Sequence, residues 1–304
     1  MGRKIYYYTD YNTFKLIMKN GTLRFKQSTA SNDCLDTVHI YEILKSIARE
    51  NLDSGITTEP LKFIYELYDH TQYANNKIYA VACFTLKKDS RLLWDAYTMN
   101  RKDRKAERYN GVCIEIDEDE LRKVIHSYRE RFDYADIQPI MYGDSKIYIF
   151  LNTVLKMFIK EHYKLKSDTD QKQDIVPPIY IKLAGNITEM KLKKCIVLPA
   201  LELTNYIENA APLFKHDFWR EEEEVRAVVA IKNARLADAP MECGKEEFFY
   251  FDMPINNDCI SKIILGPEMT DEEVKDLYNI EGELSLSSFE IERSSGTGII
   301  RSAG

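Results

Sequence analysis

The sequence predicts an α+β fold, and three observations carry that reading. Short apolar strands and amphipathic helices are mixed along the chain, without the βαβαβ alternation of a doubly wound sheet. No glycine-rich phosphate loop joins a strand to a helix, so a doubly wound nucleotide-binding fold is not expected. The strands are several and short, which favours antiparallel pairing.

Taken in order, "KIYYY" predicts a strand, "YNTFKLIMKN" a helix stopped by Gly21, and "TLRF" a second strand. "ASNDCLD" is turn chemistry, because Asn and Asp bond their own backbone. Helices are expected near 36–50 and 59–70. "KIYAVACFTL" reads as a buried strand, "RLLWDAYTM" as a short amphipathic helix and "GVCIEI" as another strand. Residues 118–132 read as helical, "IQPIMY" as extended and 145–166 as a long helix. "KLKSDTDQKQDIVPP" is polar and ends in Pro-Pro, so it reads as a surface loop inside one domain spanning 1–304. Beyond it come a strand at "CIVL", a helix over 199–215, and strands at 223–231, "EEFFYFDM" and "ISKIILG". Thr270 and Glu273 have capping-box spacing at the start of "TDEEVKDLYNI". "LSSFEIE" is the last strand, and "GTGIIR" reads as a turn plus a strand.

Composition narrows the function classes. The 304 residues are 44% hydrophobic and 30% charged, with 20 Tyr and 13 Phe. The net charge of −7 gives no overall field to attract nucleic acid or an anionic membrane. No apolar run reaches membrane-spanning length, and the start of the chain goes into a strand rather than a signal-like apolar run. Cys34, Cys83, Cys113, Cys195, Cys243 and Cys259 are scattered singly, several inside apolar strands, which points to a reducing cytoplasm. No Cys/His grouping has metal-site spacing, so no metal is expected.

The most informative stretch is "FWREEEEVRAVVAI". Strand parity puts Glu222, Glu224 and Arg226 on one face, and Val225, Ala227, Val229 and Ile231 on the other, which should face the core. Arg226 could pair with one carboxylate and leave the other to act on a ligand, with Trp219 roofing the place. The same pattern also suits a solvated strand edge. Trp94 and Tyr97 share a helical face, which suits either core or a ring-binding floor. The basic run "NRKDRKAERYNG" suits either a phosphate grip or a solvated loop, and His216 either a proton carrier or a surface helix end.

Six segments occur together in order: "IYYYTD", "TLRF…ASNDCLD", "CFTLKKDSRLLWDAY…GVCIEID", "FKHDFWREEEEVRAV", "ISKIILGPEMTDEE" and "FEIERSSGTGIIR". With them the chain resembles the bacterial domain-of-unknown-function family numbered 2971, grouped with the ADP-ribosyltransferase-like proteins, over about residues 5–301. The resemblance implies a split, two-sheet β core around an NAD-binding cleft, with helical insertions about 36–75 and 118–178. It implies that NAD is a substrate, its ADP-ribose transferred to an unknown protein or nucleic-acid acceptor or released by hydrolysis as in an NAD glycohydrolase. Such an enzyme would belong with bacterial toxins or phage-defence effectors.

Carried onto this sequence, the likeness makes Glu224 the catalytic carboxylate and Glu222 its accessory partner. Tyr7, Tyr8, Thr9, Asn32, Asp33, Thr85, Trp94, Tyr97 and Arg226 fall at NAD-binding positions, with Asp36 close to the Asn-Asp pair. A carboxylate beside the ribose would stabilise the oxocarbenium-like state of nicotinamide–ribose cleavage, and a second would orient or deprotonate the acceptor. Tyr7 departs from the pattern, since relatives often carry His or another polar residue there. That departure keeps a rival open: a non-catalytic sensor or interaction module that retains the cleft.

Overall fold

The structure is a computed structural model that describes residues 2–30, 37–53, 77–98, 109–169, 179–183, 186–190, 194–238, 240–244 and 248–299. The first elements are β1 (Lys4–Thr9), α1 (Tyr11–Asn20), β2 (Thr22–Gln27), α2 (His39–Asp53), β3 (Lys77–Thr85) and α3 (Arg91–Tyr97). Next come β4 (Val112–Asp117), α4 (Glu118–Ser127), β5 (Tyr134–Pro139), β6 (Met141–Tyr142) and α5 (Asp144–Thr169). β7 (Ile179–Leu183), β8 (Asn186–Met190), α6 (Lys194–Ala210), β9 (Phe214–Lys215) and β10 (Glu224–Lys232) follow. The chain ends with β11 (Glu242–Cys243), β12 (Phe249–Pro254), β13 (Ile260–Leu265), α7 (Asp271–Tyr278) and β14 (Glu290–Arg293).

These elements form two units, one from Met1–Ala30, Ile78–Ile140 and Arg220–Gly304, the other from Ser31–Lys77 and Met141–Trp219. The first is mixed α and β around a ten-stranded, mostly antiparallel sheet in the order β11-β12-β2-β3-β1-β4-β13-β14. β10 lies off that path and pairs with both β3 and β5, so β3 is a branch point shared by β1, β2 and β10. β13 and β14 run parallel. Local chemistry sets the helix ends. Asp10 accepts the Thr13 N–H at 3.0 Å, and Gly21, at φ 60°, donates to the Ile17 carbonyl. α1 then buries Phe14, Ile17 and Met18, at the spacing of one helix face. They join a core with Ile5, Phe25, Ile114, Ile263 and the β10 residues Val225, Ala227, Val229 and Ile231.

In the second unit α2, α5 and α6 share a core of Ile40, Leu44, Ile147, Leu151, Leu203 and Ile207, joined by Phe214 of β9. β6 pairs parallel with β9, and β7 pairs antiparallel with β8.

Several expectations are corrected. "CIVL" lies in α6, a helix, not a strand. Four apolar residues are too few to separate the two periods, and the apolar run continues with helical spacing into Leu203 and Ile207. That helix ends at Ala210, one 3-10 turn before β9. α4 stops at Ser127 rather than 132, and "LSS", Leu286–Ser288, is a 3-10 turn ahead of β14. Cys83 is exposed in β3, unlike the buried Cys113. The helix expected at 59–70 and the last residues of "GTGIIR" lie outside the described residues.

Candidate functional site

The acidic stretch is built differently from a continuous strand. Asp217–Glu222 forms a 3-10 segment, and Glu223 has φ 43°, a left-handed backbone that is uncommon for a residue with a Cβ. Regular strand begins at Glu224, so the parity that would put Glu222 on the Glu224/Arg226 face breaks at Glu223. Both carboxylates are engaged. Arg226 donates through Nε to Glu224 Oε1 at 2.7 Å and through Nη2 to Oε2 at 3.2 Å. These side chains are 0% and 3% exposed, so Arg226 pairs with Glu224 in the interior. Glu222 Oε1 accepts from the Tyr97 hydroxyl at 2.7 Å.

The end of β3 binds this turn through three consecutive carbonyls. Lys87 Nζ donates to Glu221 O at 2.6 Å, Thr85 Oγ1 to Glu222 O at 2.6 Å, and the Leu86 N–H to Glu223 O at 3.1 Å. The Lys87 N–H in turn donates to Thr85 Oγ1 at 3.0 Å, so that hydroxyl both gives and accepts a bond. On the other side, the Ile140 N–H donates to Glu224 O at 2.9 Å. Glu221 and Glu223 are solvated carboxylates beside the Lys87 ammonium, at 3.1 and 3.5 Å.

Tyr97 is 42% exposed, but its hydroxyl sits beside charge. Burial, and after it the Glu222 carboxylate, push its phenol above its ordinary value, and Cys83 and Glu224 are close enough to add to the shift. Tyr7 is half-buried with its ring 5.6 Å from Phe84. Burial, reinforced by Cys83 and Asp10, pushes its phenol up to about 12. The structure therefore gathers Tyr97, Glu222, Glu224 and Arg226, with Cys83 close to Tyr97 and to Tyr7.

It does not bring Tyr8, Thr9 and Trp94 to that group as open ligand-binding surfaces. Tyr8 and Trp94 are core: their rings meet edge to face at 4.9 Å in a cluster with Leu93, Cys113 and Ile264. The Tyr8 hydroxyl donates to Lys87 O and accepts the Ser90 N–H. Thr9 is buried at the end of β1, opposite Val112. Thr85 is likewise buried, with its hydroxyl engaged by backbone rather than open to a nucleotide. Asn32, Asp33 and Asp36 lie outside the described residues, as does most of the basic run, 100–108. Trp219 stacks edge to face with Phe218, beneath the Lys215 ammonium.

Asp89, which drew no notice in the sequence, anchors α3 just before its start. At φ 53° it accepts from Trp94 Nε1 at 2.8 Å, Ser294 Oγ at 2.6 Å and the Ser295 N–H at 2.7 Å. Burial alone would raise its carboxyl, but the bonds from Ser294, Ser295 and Trp94 hold it below the usual range. Cys83 reads in the sequence as one cysteine of an apolar strand, and its i, i+2 spacing to Thr85 signals a shared strand face.

Fold and site define a mixed α+β protein whose branched sheet carries a kinked, two-carboxylate strand entrance. Residues 93–227 match the family model described as "Protein of unknown function (DUF2971)", which supports that family over a span of less than half the chain. The matched span contains Tyr97, Glu222, Glu224 and Arg226. No curated protein and no solved structure matches the chain. Among the described residues no group of three or more His, Cys, Asp or Glu is placed to hold a metal, and no helix is long and apolar enough to cross a membrane.

Proposed function

We propose that the chain is an ADP-ribosyltransferase-like enzyme that transfers ADP-ribose from NAD to a protein or nucleic-acid acceptor, or to water. One observation carries the reading: two carboxylates two residues apart are both engaged, Glu224 by a buried guanidinium and Glu222 by a tyrosine hydroxyl. The resemblance of the six ordered segments adds to it.

In this reading the bond between ribose C1′ and the nicotinamide nitrogen breaks, and its electron pair leaves on nicotinamide. A lone pair of the acceptor forms the new bond to C1′, and the acceptor's proton passes to Glu222. Glu224, fixed in orientation by Arg226, stabilises the positive charge that develops on the ribose. Glu222 already accepts from one hydroxyl, so a ribose or acceptor hydroxyl suits the same oxygen. Tyr97 and Tyr7 offer ring surface for the nicotinamide end.

A specific observation favours a second reading. Glu224 and Arg226 are so nearly excluded from solvent that the pair also suits a purely structural ion pair, in a module that binds without turnover. Incubation with NAD labelled in the ADP-ribose moiety and cell lysate separates the two, with Glu224→Gln and Glu222→Gln beside the wild type. The enzyme reading expects nicotinamide release or label transfer by wild type, lost in Glu224→Gln protein that keeps the native circular dichroism spectrum. No release, no transfer and no NAD binding by calorimetry would sink it.

A further inference from the structure

We propose that Thr85 and Glu223 are positioning residues that hold the Glu222 carboxylate on the Tyr97 hydroxyl. The inference rests on the functional reading for its catalytic consequence and on geometry alone for the rest. A strand continued backward from Glu224 would put Glu222 on the Glu224/Arg226 face. The left-handed Glu223 breaks that alternation, and Glu222 meets Tyr97 while Glu224 pairs with Arg226.

A left-handed backbone at a glutamate persists only where its surroundings over-determine it. Here they do. Three successive carbonyls, those of Glu221, Glu222 and Glu223, are taken one each by Lys87, Thr85 and Leu86. The middle bond comes from a side chain buried to 5% exposure, so it is shielded from competition by water. Thr85 acts through Glu222 and Glu223 through its backbone, so neither need touch a ligand.

Two substitutions separate this from general destabilisation. Thr85→Val keeps shape and burial but removes the donor, whereas Thr85→Ser keeps the donor. Glu223→Gly keeps the left-handed conformation at no steric cost, whereas Glu223→Val makes it an outlier. The readout is the tyrosine Cζ resonance of Tyr97 in protein labelled with ¹³C at that carbon, assigned by its loss in Tyr97→Phe. Wild type defines the bonded position and Glu222→Ala the released one. Thr85→Val and Glu223→Val are expected to move the resonance most of the way to the released position. Thr85→Ser and Glu223→Gly are expected to leave it in place, and unchanged resonances from the other tyrosines certify folding.

A folded Thr85→Val or Glu223→Val protein whose Tyr97 resonance stays at the wild-type position overturns the proposal. Should one of the two fail to fold, the other carries the decision. The spectra need no NAD, so a shift without any wild-type turnover sinks the enzyme reading and leaves the positioning role intact. Where turnover is present, Thr85→Val lowers kcat on the order of 10- to 100-fold with KM little changed, and Thr85→Ser restores it.

Discussion

Arg226 and Glu224 lie two residues apart on β10 and meet in a two-point contact, Nε to Oε1 at 2.7 Å and Nη2 to Oε2 at 3.2 Å, in the interior. Removing one member of such a pair leaves a buried charge without its partner. Arg226→Ala is therefore expected to lower stability by about 3–5 kcal/mol, read as the midpoint of urea unfolding at pH 7. Arg226→Lys recovers only part of the loss, because an ammonium does not reproduce the planar two-point contact. A loss under about 1 kcal/mol for Arg226→Ala would show that the pair contributes little.

Alkaline pH should weaken the fold through its tyrosines. Burial raises the phenols of Tyr7, to about 12, and of Tyr8 and Tyr97 above the ordinary value of 10.0. A raised folded value means that the contribution is whole below about pH 10 and is lost as pH rises from there through the folded values. Stability measured between pH 9 and 11.5 should fall, and Tyr7→Phe should flatten the slope. A profile unchanged by Tyr7→Phe contradicts this assignment.

Asp89 works in the opposite direction. Its carboxyl lies below the ordinary value of 3.8, so its contribution is present above about pH 4 and disappears as pH falls through the folded value. Asp89→Asn tolerates the left-handed backbone and keeps the shape while removing the charge. It is expected to cost about 1–3 kcal/mol at pH 7 and markedly less near pH 2. An equal cost at both values would assign the effect to packing instead.

Thiol chemistry tests the face of β3. Cys83 and Cys243 are exposed, whereas Cys113 and Cys259 are buried, with thiols that burial pushes above the ordinary value. Brief alkylation of the native protein, mapped by peptide mass spectrometry, should mark the first two and spare the second two. If the Tyr97 face binds NAD, NAD should slow labelling at Cys83 and not at Cys243. Equal protection at both positions counts against that location.

What could be read from the sequence was local chemistry. The Thr270–Glu273 capping box, the Gly21 helix stop and the apolar stripe of β10 depend on residues a few positions apart, and all three are present. The pairing of Arg226 with a nearby carboxylate was legible for the same reason. Glu223 was not, because nothing in a run of four glutamates tells which one bends backward; Thr85, Leu86 and Lys87 decide that from far along the chain. Trp94 and Tyr97 share a helical face that suits core or a ring-binding floor, and only the three-dimensional neighbours Tyr8, Cys113 and Ile264 place Trp94 in the core. The bond from the Thr85 hydroxyl to the Glu222 carbonyl joins positions far apart in the chain, which no local pattern reveals.

The branch at β3 has a consequence for how the chain is made. β1 and β2 precede it, but β10 follows only after the whole 141–219 segment has been synthesised. Until then β3 emerges with one set of partners in hand and another still missing. An unsatisfied strand edge of this kind invites pairing with a neighbouring nascent chain. Production at low temperature or with a holding chaperone present should therefore improve yield by covering that interval, even though β3 of the finished sheet pairs with β1, β2 and β10 alike.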